Sequence, residues 1–396
     1  MVWEIQKGVK SVGVQDWDRR LFDELIPLPD GTSYNAYVVQ GTEKTALIDT
    51  VDPPFAKELL ENLKTAGVKT LDYIIPNHAE QDHSGSIPEV LKQYPNAKVV
   101  TNEKCKEMLK DLLHMQEDKF QTVADGQTLE LGDKTLKFIM APWVHWPETM
   151  LTLLEEDKIL FSCDLFGSHL ATSDNYAKDD EKTLQSAKRY YAEIMMPFRN
   201  LIKGHMEKIK TLDFDTIATS HGPIYDKPDI ILNAYRQWIS DEVKNEVVIP
   251  YVSMHGSTKT MVDHLVNAIE EKGITVKPYD LAKTDIGELA MALVDAATII
   301  VGTPTVLGGP HPSAVYAAYL KNALRPKTRF ASVVGSYSWG GRTVEQIKQM
   351  LPNLKIELLE PVMEKGHPTQ ETYKKIDILA QQILKKHQEH NIILQR

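Results

Sequence analysis

Cysteine is nearly missing from this chain: Cys105 and Cys163 are the only two in 396 residues. That scarcity argues against a disulfide framework and against any cysteine-ligated zinc or iron–sulfur site. It also suits a reducing compartment, so the chain reads as cytoplasmic. Long apolar runs are missing too, and none approaches the ~20 residues that a membrane helix needs. The start, Met1-Val2-Trp3-Glu4-Ile5-Gln6-Lys7, has neither the basic n-region nor the apolar h-region of a signal peptide. Positive charge is in deficit: 45 Lys and Arg stand against 55 Asp and Glu, for a net charge of −10. A nucleic-acid binder needs the opposite sign. Internal repeats and low-complexity tracts are absent, as are C-x-x-C pairs, a Walker A motif and the G-x-G-x-x-G fingerprint.

What is present is ordinary globular material, 42% hydrophobic and 25% charged, with a length that calls for two or three domains. Up to about residue 245, strands and helices alternate with hairpin-like pairs at 35–39 with 45–49 and at 129–132 with 136–139. Helical periodicity marks 55–66, 103–114 and 182–212. A sandwich of two sheets with outer helices fits that mixture. Beyond 245 the pattern changes to a buried strand at 247–252, a helix from about 258 to 272, and a strand at 297–301. A helix at 313–324, a strand at 330–334 and a further helix complete it. That regular alternation predicts a doubly wound parallel sheet. Two domains follow, 1–245 and 246–396, both of the α/β class.

The densest chemistry is His78-Ala79-Glu80-Gln81-Asp82-His83, directly after the apolar run 73–76. If the loop is extended, His78, Glu80 and Asp82 share one side and His83 faces another, so one loop can serve two metals. Three single residues also follow apolar strands: His145, Asp164 and His221. Taken alone, each is more often a cap or turn residue. One cluster and three strand-end singles together point to a two-metal site. The donors are four imidazoles and three carboxylates with no sulfur. Hard, oxygen-rich ligation suits iron cycling between ferrous and ferric better than zinc, although donor chemistry alone leaves zinc open.

In the second domain, Ser253-Met254-His255-Gly256-Ser257-Thr258-Lys259 joins the first strand to the first helix. Small hydroxylated residues and backbone N–H groups at a helix N-terminus suit a phosphate monoester. Alone, the segment reads equally well as an N-capped helix. Two further glycine-rich loops follow apolar strands: Gly302-Thr303-Pro304-Thr305-Val306-Leu307-Gly308-Gly309 and Gly335-Ser336-Tyr337-Ser338-Trp339-Gly340-Gly341. Doubly wound folds bind ligands at such strand ends. Trp339 is either a stray exposed aromatic or a plate for a flat ring, and its flanking glycines favour the plate.

With these residues in view, H-x-E-x-D-H followed by His, Asp and His resembles the metallo-β-lactamase fold over residues 1–245. Glu80 stands where the zinc hydrolases of that superfamily normally have a His. Residues 246–396 resemble a flavodoxin. The two in this order look like the flavodiiron (A-type flavoprotein) family, and the resemblance spans essentially the whole chain. It implies that His78, Glu80 and His145 hold one iron and that Asp82, His83 and His221 hold the other. Asp164 would bridge them, and His169 and Tyr191 would line the pocket and supply protons or hydrogen bonds. It implies FMN on the three loops, through Ser253, Met254, His255, Gly256, Ser257, Thr258, Pro304, Thr305, Val306, Gly308, Ser336, Tyr337, Ser338, Trp339 and Gly340.

The activity so implied is reduction of dioxygen to water, of nitric oxide to nitrous oxide, or of both. Electrons would come from an external donor such as a rubredoxin or a flavin reductase, through a head-to-tail homodimer or a dimer of dimers. One departure stands out. Many relatives carry a His shortly before the segment matching Gly31-Thr32-Ser33-Tyr34-Asn35, whereas this chain has Arg20-Leu21-Phe22-Asp23-Glu24. An acidic residue there alters pocket polarity and proton delivery. Two rival functions remain at this stage: a di-zinc hydrolase with a flavodoxin-like domain, and a pure flavin electron carrier on a degenerate scaffold.

Overall fold

The computed structural model describes residues 2–353 and 355–393. It falls into two compact units, one of residues 1–191 with 198–239 and the other of 192–197 with 240–396.

Two main sheets make the first unit, beside the short pairs Val14–Asp16 with Thr32–Tyr34 and Leu21–Phe22 with Ile26–Pro27. The larger has seven strands in the order Trp3–Gln6, Val9–Ser11, Tyr37–Gln40, Thr45–Ile48, Tyr73–Ile75, Lys98–Thr101 and Phe120–Thr122, and its last four run parallel. The smaller has Thr128–Glu130, Thr135–Met140, Met150–Leu154, Ile159–Cys163 and Thr216–Thr219. Alternation along the strands decides what each face meets. Tyr37, Val39, Ala46, Ile48, Tyr73 and Ile75 point inward to Phe138, Met150, Ile159 and Phe161 of the smaller sheet. Their neighbours Val38, Leu47, Ile74 and Val99 point outward to Leu59, Leu63, Val90 and Leu109 on covering helices. The expected hairpin forms from Tyr37–Gln40 with Thr45–Ile48, Tyr37 opposite Ile48 and Gln40 opposite Thr45.

The single helix expected over 182–212 is broken. Helix Glu181–Tyr190 passes into a π turn at Tyr191–Met195 and a 3-10 turn at Met196–Phe198, and helix Arg199–Ile209 resumes after it. Pro197 in the second turn has no N–H to continue an α ladder. The helix Asp229–Ile239 escaped the sequence reading.

In the second unit one parallel sheet runs Thr275–Asp280, Lys244–Tyr251, Ala296–Gly302, Phe330–Tyr337, with Glu357–Leu358 and Val362–Lys365 beside the last. Counted along the chain this is the 2-1-3-4-5 order of flavodoxin-like sheets. Val247, Ile249, Ile300 and Val334 pack under helices Ser257–Glu270 and Gln370–Glu389. Val248, Ile299 and Ala331 face Leu289, Leu293 and Ala317 on the other side. Neither the strand Thr275–Asp280 nor the helix Ile286–Leu293 stands out in the sequence. The strand is an edge strand with Pro278 and mostly half-exposed residues, and the helix is short and apolar apart from Glu288, so neither shows a clear amphipathic period.

Lys321 is an outlier in this unit. Helix Pro312–Leu324 buries it beside Ile299, Val301, Val333 and Ile347, and its Nζ has no hydrogen-bond partner. Burial alone pulls its pKa down to about 7. A depressed lysine pKa means the unfolded chain binds the extra proton, so stability rises with pH between about 7 and the usual lysine value near 10.4. Lys321→Met is therefore expected to stabilise the unit by roughly 2–4 kcal/mol below neutrality. The gain should shrink as the pH approaches 10, which melting curves of both proteins across that range will show. A gain independent of pH would mean that side-chain shape, not charge, is responsible.

Candidate metal centre

Every candidate ligand sits just beyond a strand's C-terminal end, where the ladder stops and side chains can converge. The loop after Tyr73–Ile75 is not extended throughout, which corrects the alternation argument. His78 and Glu80 precede a single helical turn, Gln81–Ser84, that carries Asp82 and His83. The turn divides the loop between two positions. His145 comes from the loop after Thr135–Met140, Asp164 follows Ile159–Cys163, and His221 follows Thr216–Thr219.

The structure brings all seven together as two groups, His78, Glu80, His145 and Asp164 in one and Asp82, His83 and His221 in the other. Asp164 serves both. Its Oδ2 lies 3.6 Å from His78 Nε2 and 3.5 Å from His145 Nε2, while its Oδ1 lies 3.1 Å from His83 Nε2 and 3.3 Å from His221 Nε2. Glu80 Oε2 completes the first group at 3.2 Å from His78 and 3.0 Å from His145. Asp82 completes the second, 3.4 Å from His83 and 3.3 Å from His221. Both Asp82 oxygens, His83 Nε2 and Asp164 Oδ2 are buried without a hydrogen bond of acceptable geometry. Buried polar atoms are rarely left so. Seven side chains aimed at two shared points, with several of their donor atoms otherwise unsatisfied, fit a pair of metal ions.

Electrostatics agree. Burial opposes charge on His78, His83 and His221, yet the surrounding carboxylates outweigh it and raise each to about 10. Burial likewise pushes Asp164 up, but the charge of His83 and the hydrogen bonds from His221 and His83 hold it well below the carboxylate range. The carboxylates thus demand cations, and metal ions can take the place of the imidazole protons.

Behind the ligands stand residues that the sequence did not reveal. His78 Nδ1 meets Glu148 Oε1 at 2.7 Å, and His221 Nδ1 donates to the Ser33 carbonyl at 2.6 Å. Asp49 accepts from the Asn77 backbone at 2.7 Å and from Ser220 Oγ at 3.2 Å, tying the loops after three strands together. Glu148 had one available signal, its place three residues after His145 in a short loop. Asp49 had another, the end of the apolar run 46–48.

The pocket expectation for Tyr191 is corrected. Its hydroxyl donates to the Trp238 carbonyl at 3.3 Å and its ring packs on Tyr235 and Trp238. Tyr190, one residue earlier and at the end of its α-helix, donates to Asp164 Oδ1 at 2.9 Å instead. A shift of one residue on a helix turns a side chain by about 100°, and periodicity could not decide between adjacent tyrosines. His169 does reach the pocket. Its ring lies 5.4 Å from that of His221 and 4.8 Å from that of Tyr190, and its Nδ1 meets Thr32 Oγ1 at 2.9 Å. Burial, reinforced by the charge of His221, holds it neutral, and its Nε2 has no hydrogen-bond partner. Asp23 also feels the site: burial raises its pKa, and the charges of Glu80 and Asp82 add to that.

In the second unit, one cleft is lined by Ser253, Met254, His255, Ser257 and Thr258 from the first loop. Pro304 and Thr305 come from the second loop, and Ser336, Tyr337 and Ser338 from the third. Thr258 is buried, with its Oγ1 3.2 Å from Ser336 Oγ, so hydroxyls cluster at the N-terminus of helix Ser257–Glu270. Gly256 caps that helix at φ 90°, a conformation that favours glycine. A Cβ at Gly335 would overlap the Thr303 carbonyl oxygen, so glycine there permits the second and third loops to approach. Val306, Gly308 and Gly340 lie on these loops outside the cleft lining, and Trp339 follows Ser338 with 76% of its surface exposed. A hydroxyl-lined cleft on a helix N-terminus, with a loose aromatic beside it, fits a flavin mononucleotide.

A di-metal sandwich of the metallo-β-lactamase type, followed by a flavodoxin-like unit, defines the class. A family model described as ODP family beta lactamase matches residues 32–222. The chain is 36% identical to the nitric oxide reductase of Moorella thermoacetica, over 90% of each protein. It is also 36% identical to the coenzyme F420H2 oxidase of Methanothermobacter marburgensis, over 88% of this chain and 89% of that protein. Among solved structures, rubredoxin:oxygen oxidoreductase from Desulfovibrio gigas superposes with a TM-score of 0.93 at 28% identity, covering 98% of both chains. The flavodiiron protein of Giardia intestinalis gives 0.88 at 28% identity, with 98% of both chains covered. The chain belongs to the flavodiiron family of oxidoreductases.

Proposed function

We propose that this enzyme reduces dioxygen, nitric oxide or both at a non-haem iron pair, with electrons relayed through FMN. The observation that carries the reading is Asp164, whose two oxygens face two separate His-and-carboxylate groups. His78, Glu80 and His145 would hold one iron, and Asp82, His83 and His221 the other. When bound, the irons would bind the gas and pass it electrons, which a flavin can supply singly or in pairs. The names of these relatives cover both gases, nitric oxide for the Moorella protein and oxygen for the Desulfovibrio one.

The chain's own groups handle protons and orientation. Tyr190 holds a proton at its hydroxyl against Asp164, and neutral His169 presents an unused Nε2 in the same pocket. Asp23 adds a carboxyl that burial keeps easier to protonate than usual. Both reductions consume protons, and these three groups would supply them. In the second unit Ser253, Ser257, Thr258 and Ser336 would bind the FMN phosphate end, and Trp339 would cover its ring.

The sequence carries no C-x-x-C pair and no nicotinamide fingerprint. A rubredoxin, as in the name of the Desulfovibrio relative, or a flavin reductase would supply the electrons, and the setting would be the cytoplasm. A head-to-tail homodimer, or a pair of them, would apply the flavin face of one subunit to the metal face of another with a single interface type.

Metal exchange tests the reading. Protein purified without added metal should contain about two irons per chain, and gas consumption should fall to the slow background of the flavin alone on replacement by zinc, which cannot cycle between oxidation states. Undiminished gas consumption by the zinc form would place the reaction at the flavin and contradict this reading. For the flavin half, Trp339→Ala is expected to weaken FMN binding by up to about 10-fold, the worth of one stacking contact. Fluorescence titration of stripped protein reads that loss, and an unchanged affinity would place the ring elsewhere.

A further inference from the structure

The loop that connects strand Thr135–Met140 to strand Met150–Leu154 brings more than His145 to the metal centre. It also carries Glu148, whose side chain has no solvent exposure. The loop is clamped at both of its ends. Ala141 N donates to the Thr149 carbonyl at 3.0 Å, and Met150 N donates to the Asn77 carbonyl at 2.9 Å. Asn102, which caps helix Glu103–Leu113, donates its Nδ2 to the Glu148 carbonyl at 2.6 Å. Glu148 is thus held by its backbone, and its carboxylate has little freedom.

One oxygen does two jobs. Glu148 Oε1 lies 2.7 Å from His78 Nδ1 and accepts from Ala79 N at 2.9 Å. Trp146 closes the edge of this pair, its ring 5.0 Å from the His78 ring at 86°. The corresponding ligand on the other side, His221, has only the neutral Ser33 carbonyl behind its Nδ1, at 2.6 Å. Asp49 is grouped with His83, but its oxygens accept from Asn77 N, Asn77 Nδ2 and Ser220 Oγ. The two halves of the site therefore differ in what stands behind them. An anionic acceptor behind one imidazole fixes its tautomer and makes its Nε2 the better donor, where a carbonyl does so less.

We propose that Glu148 is a positioning residue that acts on one half of the site only. It fixes His78 with Nδ1–H and Nε2 facing the metal, and its charge tightens the hold of the His78, Glu80 and His145 position on a divalent cation. The inference rests on the two-metal reading above and not on the identity of the metal or the gas. Glu148→Gln is the informative variant, because a glutamine can keep both hydrogen bonds through its carbonyl oxygen while it loses the charge, its amide nitrogen taking the buried place of Oε2, which has no hydrogen-bond partner.

The test is a chelator-competed Co(II) titration of the full chain, stripped and reloaded, followed by the visible spectrum of the bound cobalt. In Glu148→Gln one of the two equivalents should bind about 10- to 100-fold more weakly, the usual cost of losing such a partner. The other should be unchanged. FMN retention and circular dichroism check that the variant is folded. Glu148→Asp, which keeps the charge, should weaken the same equivalent by less than the glutamine does. If the glutamine variant does not fold, the aspartate variant must still weaken one equivalent and spare the other. Two unchanged equivalents, two that weaken together, or an aspartate variant worse than the glutamine would each overturn the proposal. Wild-type protein that holds zinc and no iron would defeat the proposed gas chemistry and leave this result standing, since cobalt reads the donor set and not the reaction.

Discussion

Asp164→Ala should lose gas reduction almost entirely while keeping its flavin. Asp164 is the one ligand whose two oxygens face both metal positions, so its removal takes a donor from each. It also strands the Tyr190 hydroxyl, which donates to Oδ1 at 2.9 Å. Losing a partner behind a ligand commonly costs 10- to 100-fold in metal affinity or activity, so losing a shared ligand should leave less than about 1% of turnover. Iron analysis should show depletion at both positions. Flavin absorbance should be intact, because the cleft residues Ser253 to Thr258 belong to the other unit. Turnover near the wild-type level with full iron would show that the two groups of ligands do not act as a pair.

Ser257→Asp is the complementary lesion. Ser257 is the first residue of helix Ser257–Glu270 and lies in the hydroxyl-lined cleft. An aspartate at that position suits the helix dipole, so the fold should tolerate it. A phosphate sharing the same helix end would meet a like charge at close range. Near a protein surface such a repulsion is worth roughly 4 kcal/mol at 4 Å, enough to weaken FMN binding on the order of 100-fold or more. The purified variant should be nearly colourless but retain its metals. Mixing it with Asp164→Ala chains then asks where electrons cross. If they pass between subunits, the mixed dimer contains one intact flavin and one intact metal site on different chains, and activity returns in part. Transfer within a chain would leave every subunit broken at one end, and no activity would return.

Much of this site was legible because its ligands end strands. His78, Asp164 and His221 follow runs such as Ile159–Cys163 and Thr216–Thr219, whose apolar β pattern shows in the sequence. The order of strands in the second unit was not visible, since the edge strand Thr275–Asp280 is polar and interrupted by Pro278. Pairing order depends on contacts between distant segments, which local periodicity does not encode. The same limit explains Tyr190. The break after that residue depends on a π turn and Pro197, and only the turn decides which of two adjacent tyrosines points at Asp164. Glu148 and Asp49 were hidden for another reason. A carboxylate that hydrogen-bonds a ligand from behind has no required spacing, so only the packed loops reveal it.

The central claim is that gas reduction occurs at the metal pair and that the flavin only delivers electrons. It is tested most directly by giving anaerobically reduced protein a limited pulse of dioxygen and identifying the product. A flavin that reacts with dioxygen by itself makes hydrogen peroxide. Rapid consumption with water as the product and no peroxide is expected in the wild type, and slow consumption with peroxide in Asp164→Ala. Peroxide from the iron-loaded wild type, formed at the same rate in Asp164→Ala, would contradict it.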